Sequence, residues 1–378
     1  MAKKISIVIV SYNVCKLLDE CLQSVERAID GVDGDIFVVD NNSSDHTIDT
    51  LRPKHPQVQF IANSQNVGFA RANNQAIRLS EAEYVLLLNP DTVVYEPTIK
   101  GCIDFMDRHP EAGGAGVRML NRDIKPAPES RRAVPTPWVS MLKMLGFTRR
   151  YYMSSLPWDQ PGRIEVVSGA YCFLRRKALD QVGLLDEDFF MYGEDIDLSF
   201  RLLKGGWQNW YLPFDIIHYK GESTEKSSFR YVHVFYQAMI IFFRKHYGHL
   251  SFFITAPIKM AIYLRAFIAL CQMLYWSMRN ALGFTTHRKT EPNYLFVGST
   301  EMLEECRVLA ERKGLQAAFY PQLEAVPETQ NSYVVYDIDT IGFEHIIAHA
   351  HQHQPGWLGI GTYNMKTHEL ITLRDIIA

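Results

Sequence analysis

The six cysteines of this 378-residue chain, Cys15, Cys21, Cys102, Cys172, Cys271 and Cys306, form no C-x-x-C pair and no metal-ligand spacing. That argues against a disulfide framework or a zinc module, and the thiols are expected to be buried or free in a reducing compartment. Basic excess is also missing: 39 Lys and Arg stand against 42 Asp and Glu, for a net charge of −3. Nucleic acid is therefore not an expected partner. There is no internal repeat and no low-complexity tract. The apolar run after Lys3 and Lys4 is too short for the core of a signal peptide and runs into Ser11-Tyr12-Asn13, so it is expected to be a strand. A later apolar stretch, Met260–Trp276, is broken by Arg265 and Gln272 and follows Lys259, which argues against a membrane span.

What is present is a globular composition, 47% hydrophobic and 21% charged, in a chain too long for one ordinary core. Strands are expected at Ile5–Val10, Ile36–Val39, Val58–Ala62 and Tyr84–Leu88, with helices at Lys16–Ala28 and Ala70–Leu79 between them. Strand and helix alternating at this spacing imply right-handed βαβ units around a mostly parallel sheet, an α/β fold. Further on, Ile99–Asp107 and Ile196–Lys204 read as helices, and Ala115–Met119, Val166–Leu174 and Asn209–Leu212 as strands. A proline-rich stretch from about 121 to 165 separates them, the kind of long loop that is functional or mobile. Residues 1–228 are read as a catalytic domain, 229–288 as a helical, aromatic and basic segment, and 289–378 as a small α/β, Rossmann-like domain.

Tyr84–Leu88 organises the chain. It stops at Asn89-Pro90, because proline cannot donate to a ladder, and Asp91 emerges at the carboxyl end. Ligands bind at that end of open α/β sheets, and a carboxylate beside Asn89 suits a hard divalent cation holding phosphate oxygens. Asp91 as a simple turn cap is the plainer alternative. Glu194 and Asp195 open a helix, where the dipole keeps a carboxylate ionised. Dipole compensation alone would also explain them. Asp197 and Arg201, four apart, are expected to pair on the helix surface.

Ile7–Asn13, Val38–Asp45, Asn66–Asn74, Leu88–Asp91 and Gly193–Asp197 together resemble the family 2 glycosyltransferases of GT-A fold, most closely the rhamnosyltransferase-like branch that builds bacterial surface polysaccharides. The resemblance covers about 220 residues and leaves out the C-terminal domain. It implies an inverting transfer from a nucleotide diphosphate sugar, helped by Mg2+ or Mn2+. The donor it suggests is a pyrimidine nucleotide sugar such as dTDP-rhamnose, and the acceptor a saccharide or a lipid-linked one. The family's D-x-D is replaced here by Asn89-Pro90-Asp91, leaving one carboxylate ligand; the resemblance offers His218 as a second, against a purely structural histidine. It favours Asp195 as the base on the acceptor, with Glu194 beside it. Asp40 would accept from a pyrimidine N3–H or a ribose hydroxyl, or merely cap its turn. Ser11, Tyr12, Asn13, Asn66 and Asn89 would line the nucleotide pocket, with Gly68 permitting close backbone approach. Arg71 or Asn73 would face the nucleotide, though a helix-start role explains Asn73 nearly as well.

Arg131 and Arg132 would hold an acceptor phosphate or be solvated loop charges. Residues 229–288 fit interfacial helices in peripheral contact with a membrane, placing a cytoplasmic protein at the inner face of the cytoplasmic membrane; packing on the core is the alternative. Gly298-Ser299-Thr300 is a weak nucleotide signal, and His345, His349 and His353 are expected to form a solvated stripe. A non-catalytic sugar-nucleotide-binding regulatory module of a polysaccharide assembly complex is the rival function. A nucleotidyltransferase is a weaker one, because Gly193-Glu194-Asp195 argues against it.

Overall fold

Uninterrupted aliphatic runs place the strands. The computed structural model describes residues 3–121, 125–219, 229–248, eight helical positions between 256 and 279, and 292–327, 329, 331–352, 358–372 and 376–377. Strands β1 (Ile5–Ser11), β2 (Gly34–Asp40), β3 (Val58–Ala62) and β4 (Tyr84–Leu88) run parallel in the order β3-β2-β1-β4. Helices α1 (Cys15–Ala28), α2 (Thr47–Leu51) and α3 (Phe69–Leu79) connect them. Every residue of β1 and β4 is buried, as a strand covered on both faces requires.

Beyond β4 the sheet becomes mixed. The elements are β5 (Thr92–Val94), α4 (Glu96–Arg108), β6 (Ala112–Leu120), α5 (Pro137–Met144), β7 (Gly162–Ile164), β8 (Tyr171–Arg175), α6 (Arg176–Val182), α7 (Glu194–Lys204) and β9 (Gln208–His218). The full order is β3-β2-β1-β4-β8-β6-β9-β5, with β7 on β9. β8 lies antiparallel to both β4 and β6, and β5 antiparallel to β9. The α/β sheet expected from the sequence is thus present, parallel in its first half and mixed in its second. Two strand ranges shift: the one expected over Val166–Leu174 begins only at Tyr171, and Val166 instead makes an isolated bridge to Arg132. β9 runs well past Leu212, carrying His218 at its end. One face of the sheet packs Ile7, Leu86 and Met119 against α1 and α4 through Leu18, Leu22 and Met106. The other packs Val8, Leu87 and Leu174 against α3, α6 and α7 through Ile77, Leu179 and Leu198.

Helix α8 (Phe229–His246) returns to α7. Asp197 was expected on the surface with Arg201, but it is fully buried. It meets Arg201 Nε at 2.7 Å, His246 Nε2 at 2.7 Å and Lys245 Nζ at 3.0 Å, so it ties α7 to α8. Burial alone would raise its carboxyl; His246, Arg201 and Lys245 outweigh that and bring it down to about 2.

The C-terminal sheet has the order β11-β10-β12-β13-β14-β15, from β10 (Asn293–Val297), β11 (Ala317–Tyr320), β12 (Ser332–Asp337), β13 (Leu358–Asn364), β14 (Glu369–Thr372) and β15 (Ile376–Ile377). Its first four strands are parallel, with helices Thr300–Lys313 and Phe343–Gln352 between them. At Gly298-Ser299-Thr300, where a phosphate would meet the helix N-terminus, Asp337 Oδ2 already accepts from Ser299 N (3.1 Å) and Oγ (2.6 Å). The expected histidine stripe does not form: His345 is exposed, whereas His349 is buried with Nδ1 2.8 Å from Tyr336 OH, and His353 lies outside the described residues.

Glu20 on α1 is buried, and Tyr219 OH donates to its Oε1 at 3.1 Å. Burial pushes its carboxyl up to about 7. Between the ordinary glutamate value and pH 7, the folded chain therefore holds a proton that the unfolded chain has lost. Stability from this group is present at low pH and falls as pH rises to about 7, by about 3 kcal/mol in total. Glu20→Gln should remove that slope. Measured by calorimetry, its melting temperature should exceed that of wild type by roughly 5 °C at pH 8 and by much less at pH 5. An equal difference at both pH values would show that Glu20 is not held neutral.

Candidate active site

Parallel register gathers polar residues at one edge. Ser11 lies opposite Asp40, Asn41 N–H donates to Ser11 O (2.9 Å), and Asn63 N–H donates to Asp40 O (2.9 Å). The two loops there are lashed together. Asn13, at φ +55°, accepts from Ser44 N (2.7 Å), and its own N–H donates to Ser43 Oγ (2.9 Å). Asp40 accepts from Ser43 N (2.9 Å) and Oγ (2.5 Å), so the turn-capping role is filled while the carboxylate remains at the floor of this edge. Ser11 Oγ is buried without a partner, and Tyr12 is half exposed. Asn66 Oδ1 accepts from Gly68 N (3.0 Å).

Gly68 has φ +87°, and a Cβ there would fall 2.6 Å from Phe190 O. The close approach that glycine allows is therefore to the chain's own backbone, where Phe69 N–H donates to Phe190 O (2.8 Å). Arg71 Nε reaches Glu187 (3.2 Å), and Asn73 Nδ2 bonds back to Phe69 O (2.9 Å) with its Oδ1 buried and unpartnered. Both side chains serve the entry to α3 and its buttress.

Asp91 and His218 come together through β5 and β9. Thr92 pairs with His218 in the ladder, and His218 Nε2 lies 3.3 Å from Asp91 Oδ1. Asn89 Nδ2 is 3.4 Å from the same nitrogen. Asp91 is 3% exposed. Among the described residues no cluster of three or more His, Cys, Asp or Glu forms. One carboxylate and one imidazole are nevertheless a donor set that Mg2+ or Mn2+ accepts, with phosphate oxygens and water filling the other positions.

A second cluster faces them. Gly193, at φ +86°, turns the chain into α7. Asp195 Oδ1 accepts from Ile196 N (2.8 Å), and its Oδ2 from Gly169 N (3.1 Å) and from Arg132 Nη2. Arg132 is fixed through its backbone, Val166 N–H donating to Arg132 O (2.9 Å); burial alone would lower its pKa, and Asp195 beside it outweighs that. Arg132 thus holds Asp195 rather than standing open to an acceptor phosphate. Arg131 is neither a phosphate site nor a solvated charge. It is buried, donates to Leu156 O and lies 3.4 Å over the Trp158 ring. Glu194 is buried with Oε2 unpartnered; burial and the adjacent Asp195 push its carboxyl up to about 8, so it is neutral at pH 7.

A cavity of about 340 Å3 joins the two clusters: Asn89 and His218 border it on one side, Glu194, Asp195 and Arg132 on the other. Glu129, Lys143, Tyr151, Tyr152 and Phe235 are also on its wall. None of these five stood out in the sequence: the first four fall in the proline-rich stretch, which offered no period to place them, and Phe235 is one aromatic among many on α8. A larger cavity of about 530 Å3 lies between the start of α1 and the C-terminal sheet, and its Lys16 and Lys54 are held in ion pairs with Glu369 and Asp19.

If Asp91 and His218 ligate a cation, removing either should weaken Mn2+ binding by more than the roughly 10- to 100-fold typical of outer-shell changes. Electron paramagnetic resonance titration of Mn2+ with UDP or dTDP would measure it for Asp91→Ala and His218→Ala. Wild-type affinity in His218→Ala would remove His218 from the ligand set.

Residues 6–183 match the model for glycosyl transferase family 2, a match that ends before Glu194, Asp195 and His218. Curated relatives include the N-acetylglucosaminyl-diphospho-decaprenol L-rhamnosyltransferase of Mycobacterium tuberculosis, 27% identical over 76% of this chain and 93% of that protein. The low-salt glycan biosynthesis hexosyltransferase of Haloferax volcanii is 29% identical over 53% of this chain and 62% of its own length. The poly-beta-1,6-N-acetyl-D-glucosamine synthase of Staphylococcus epidermidis is 26% identical over 52% of this chain and 45% of its own. The coordinates also align with a mannosyltransferase from Pyrobaculum calidifontis at TM-score 0.46 and 16% identity, over 76% of this chain and 82% of that one, a likeness too loose to bear on function. The ordered motifs at the carboxyl edge of the sheet agree with the match of residues 6–183 to the glycosyl transferase family 2 model.

Proposed function

We propose that the chain is an inverting, metal-assisted glycosyltransferase that moves a sugar from a pyrimidine nucleoside diphosphate to a saccharide or lipid-linked acceptor in polysaccharide synthesis. Rhamnose is the donor sugar we favour, because the Mycobacterium tuberculosis relative is an L-rhamnosyltransferase. The observation that carries the reading is the shared cavity. It sets the Asn89 and His218 side opposite a carboxylate held by Arg132.

In an inverting transfer the acceptor hydroxyl attacks the anomeric carbon opposite the departing diphosphate, and its proton needs a base. Asp195 has the fixed orientation such a base needs: Gly169 N–H and Arg132 set its rotamer, and α7 begins beneath it. Glu194, kept neutral by burial, adds no second negative charge. Asp91 and His218 would hold Mg2+ or Mn2+, which when bound offsets the charge gathering on the leaving diphosphate.

Asp195→Asn should lower transfer by roughly two to four orders of magnitude while leaving donor binding nearly unchanged. Glu194→Gln, which imitates the neutral acid, should keep transfer within a few-fold of wild type at pH 7. A radiolabelled-sugar transfer assay beside calorimetric donor titration separates the two. A wild-type chain that binds donor yet transfers to no acceptor would instead mark a regulatory binding module.

We place the acceptor at a membrane surface. No helix among the described residues is long and apolar enough to cross a bilayer. Met260, Tyr263, Phe267, Tyr275 and Met278 lie at helical spacing and are all exposed, and the sequence around them carries Lys259, Arg265 and Arg279. An apolar, aromatic face with basic flanks suits an anionic lipid interface. The chain should float with anionic liposomes at low salt, and Tyr263→Ser with Phe267→Ser should reduce the floated fraction several-fold. Equal recovery of wild type and double variant would count against lipid contact through this face.

A further inference from the structure

The strands that carry Asp91 and His218 are shared between two cores. β5 has only three residues and is the last strand of its sheet, so few ladder bonds fix it. Its partner pairs alternate in destination. Val94 and Ile216 face into the catalytic-domain core with Leu18 and Met106. Val93 and Ile217, one step along, join the core of the C-terminal domain with Leu295, Tyr336 and Ile360. A strand alternates its side chains across its two faces, so the β5–β9 ribbon is a partition between the domains. Asp91 and His218 stand at its open end.

Tyr219 closes that end. Its N–H donates to Asp91 O (2.9 Å), its hydroxyl donates to Glu20 on α1 (3.1 Å), and its ring is buried in the C-terminal core. Thr362 on β13 lies beside this pair, its Oγ1 buried. Three outer contacts hold the same junction. Arg27 Nη2 donates to Ile338 O (2.9 Å), Lys16 pairs with Glu369 (2.8 Å), and Asp215 of β9 is shared between Arg118 and His351 (2.9 Å).

We infer that the C-terminal domain is a brace for the cation site: by packing on Val93, Ile217 and Tyr219 it sets the positions of Asp91 and His218, with Tyr219 as the positioning residue. This gives the C-terminal domain a role in the transfer although none of its described residues borders the 340 Å3 cavity. It also accounts for the closed phosphate position at Ser299: the domain recognises the catalytic domain instead of a nucleotide. The inference rests on reading Asp91 and His218 as cation ligands, and the test separates the two claims.

Two full-length variants serve. Tyr219→Phe deletes only the hydroxyl, with its contacts to Glu20 and Thr362. Thr362→Asp buries a new charge beside Glu20 from the other domain. Hydrogen–deuterium exchange reads the brace directly. Amides of 91–94 and 216–219 should exchange about tenfold faster in Thr362→Asp and several-fold faster in Tyr219→Phe. Amides of 36–45, on the nucleotide side, should keep wild-type rates, which general destabilisation would not allow. Mn2+ titration with dTDP or UDP, followed by electron paramagnetic resonance, reads the consequence: affinity should fall roughly tenfold, as for loss of an outer-shell partner. Unchanged exchange at 91–94 and 216–219 in both variants overturns the brace. So does faster exchange with undiminished Mn2+ affinity. A wild-type chain that binds no Mn2+ with either nucleotide removes the cation site from the proposed function, and the brace is then judged on exchange alone. If Thr362→Asp does not fold, Tyr219→Phe decides.

Discussion

The pairing of Thr92 with His218 is the constraint on which the site depends. It is a single ladder position at the rim of a three-residue strand, yet it sets an imidazole 3.3 Å from a buried carboxylate. A one-residue slip would turn His218 to the opposite face and send Ile217 toward the cavity. What prevents the slip is burial on both sides. Val94 and Ile216 belong to one core and Val93 and Ile217 to another, so any shift in register would expose apolar side chains in both.

The acidic helix shows how neighbouring carboxylates are separated by their surroundings. Glu194, Asp195 and Asp197 all lie in the first turn of α7, where the helix dipole favours negative charge. Asp197 is buried among Arg201, Lys245 and His246 and is firmly ionised. Glu194 is buried without a cation of its own and is neutral at pH 7. Asp195 accepts from Arg132 and the Gly169 N–H and stands on the cavity wall beside Glu194. One helix turn therefore supplies a structural anchor, a spacer and a candidate base. The buried anchor makes the orientation of α8 part of the site, because the same α8 brings Phe235 to the cavity.

The edge formed by the loops after β1 and β2 is built on different physics. Few charges act there; the loops after β1 and β2 are held by short side-chain-to-backbone bonds among Asn13, Asp40, Ser43 and Ser44. Such a network pre-orders the backbone before any ligand arrives. Ser11 Oγ, at the end of β1, is buried and takes no part in this lacing among the described residues.

The sequence by itself determined the parallel half of the sheet, because aliphatic runs such as Ile5–Val10 and Tyr84–Leu88 can only be buried strands, and Asn89-Pro90 can only end one. It likewise determined that Asp40, Asp91 and Asp195 sit at strand or helix ends, since local punctuation marks those positions. Tertiary structure alone decided which of them meet. His218 lies 129 positions from Asn89, and no local pattern tells a strand-end histidine that ligates from one that packs. The roles of Arg131 and Arg132 were equally closed to sequence reading. Adjacent and chemically identical, one is committed to Trp158 and the other to Asp195, because successive residues of an extended segment point to opposite sides. The expected pair of Asp197 with Arg201 forms, but not at the surface: helical spacing fixes that Arg201 is near, and only the arrival of α8 from outside that helix buries Asp197.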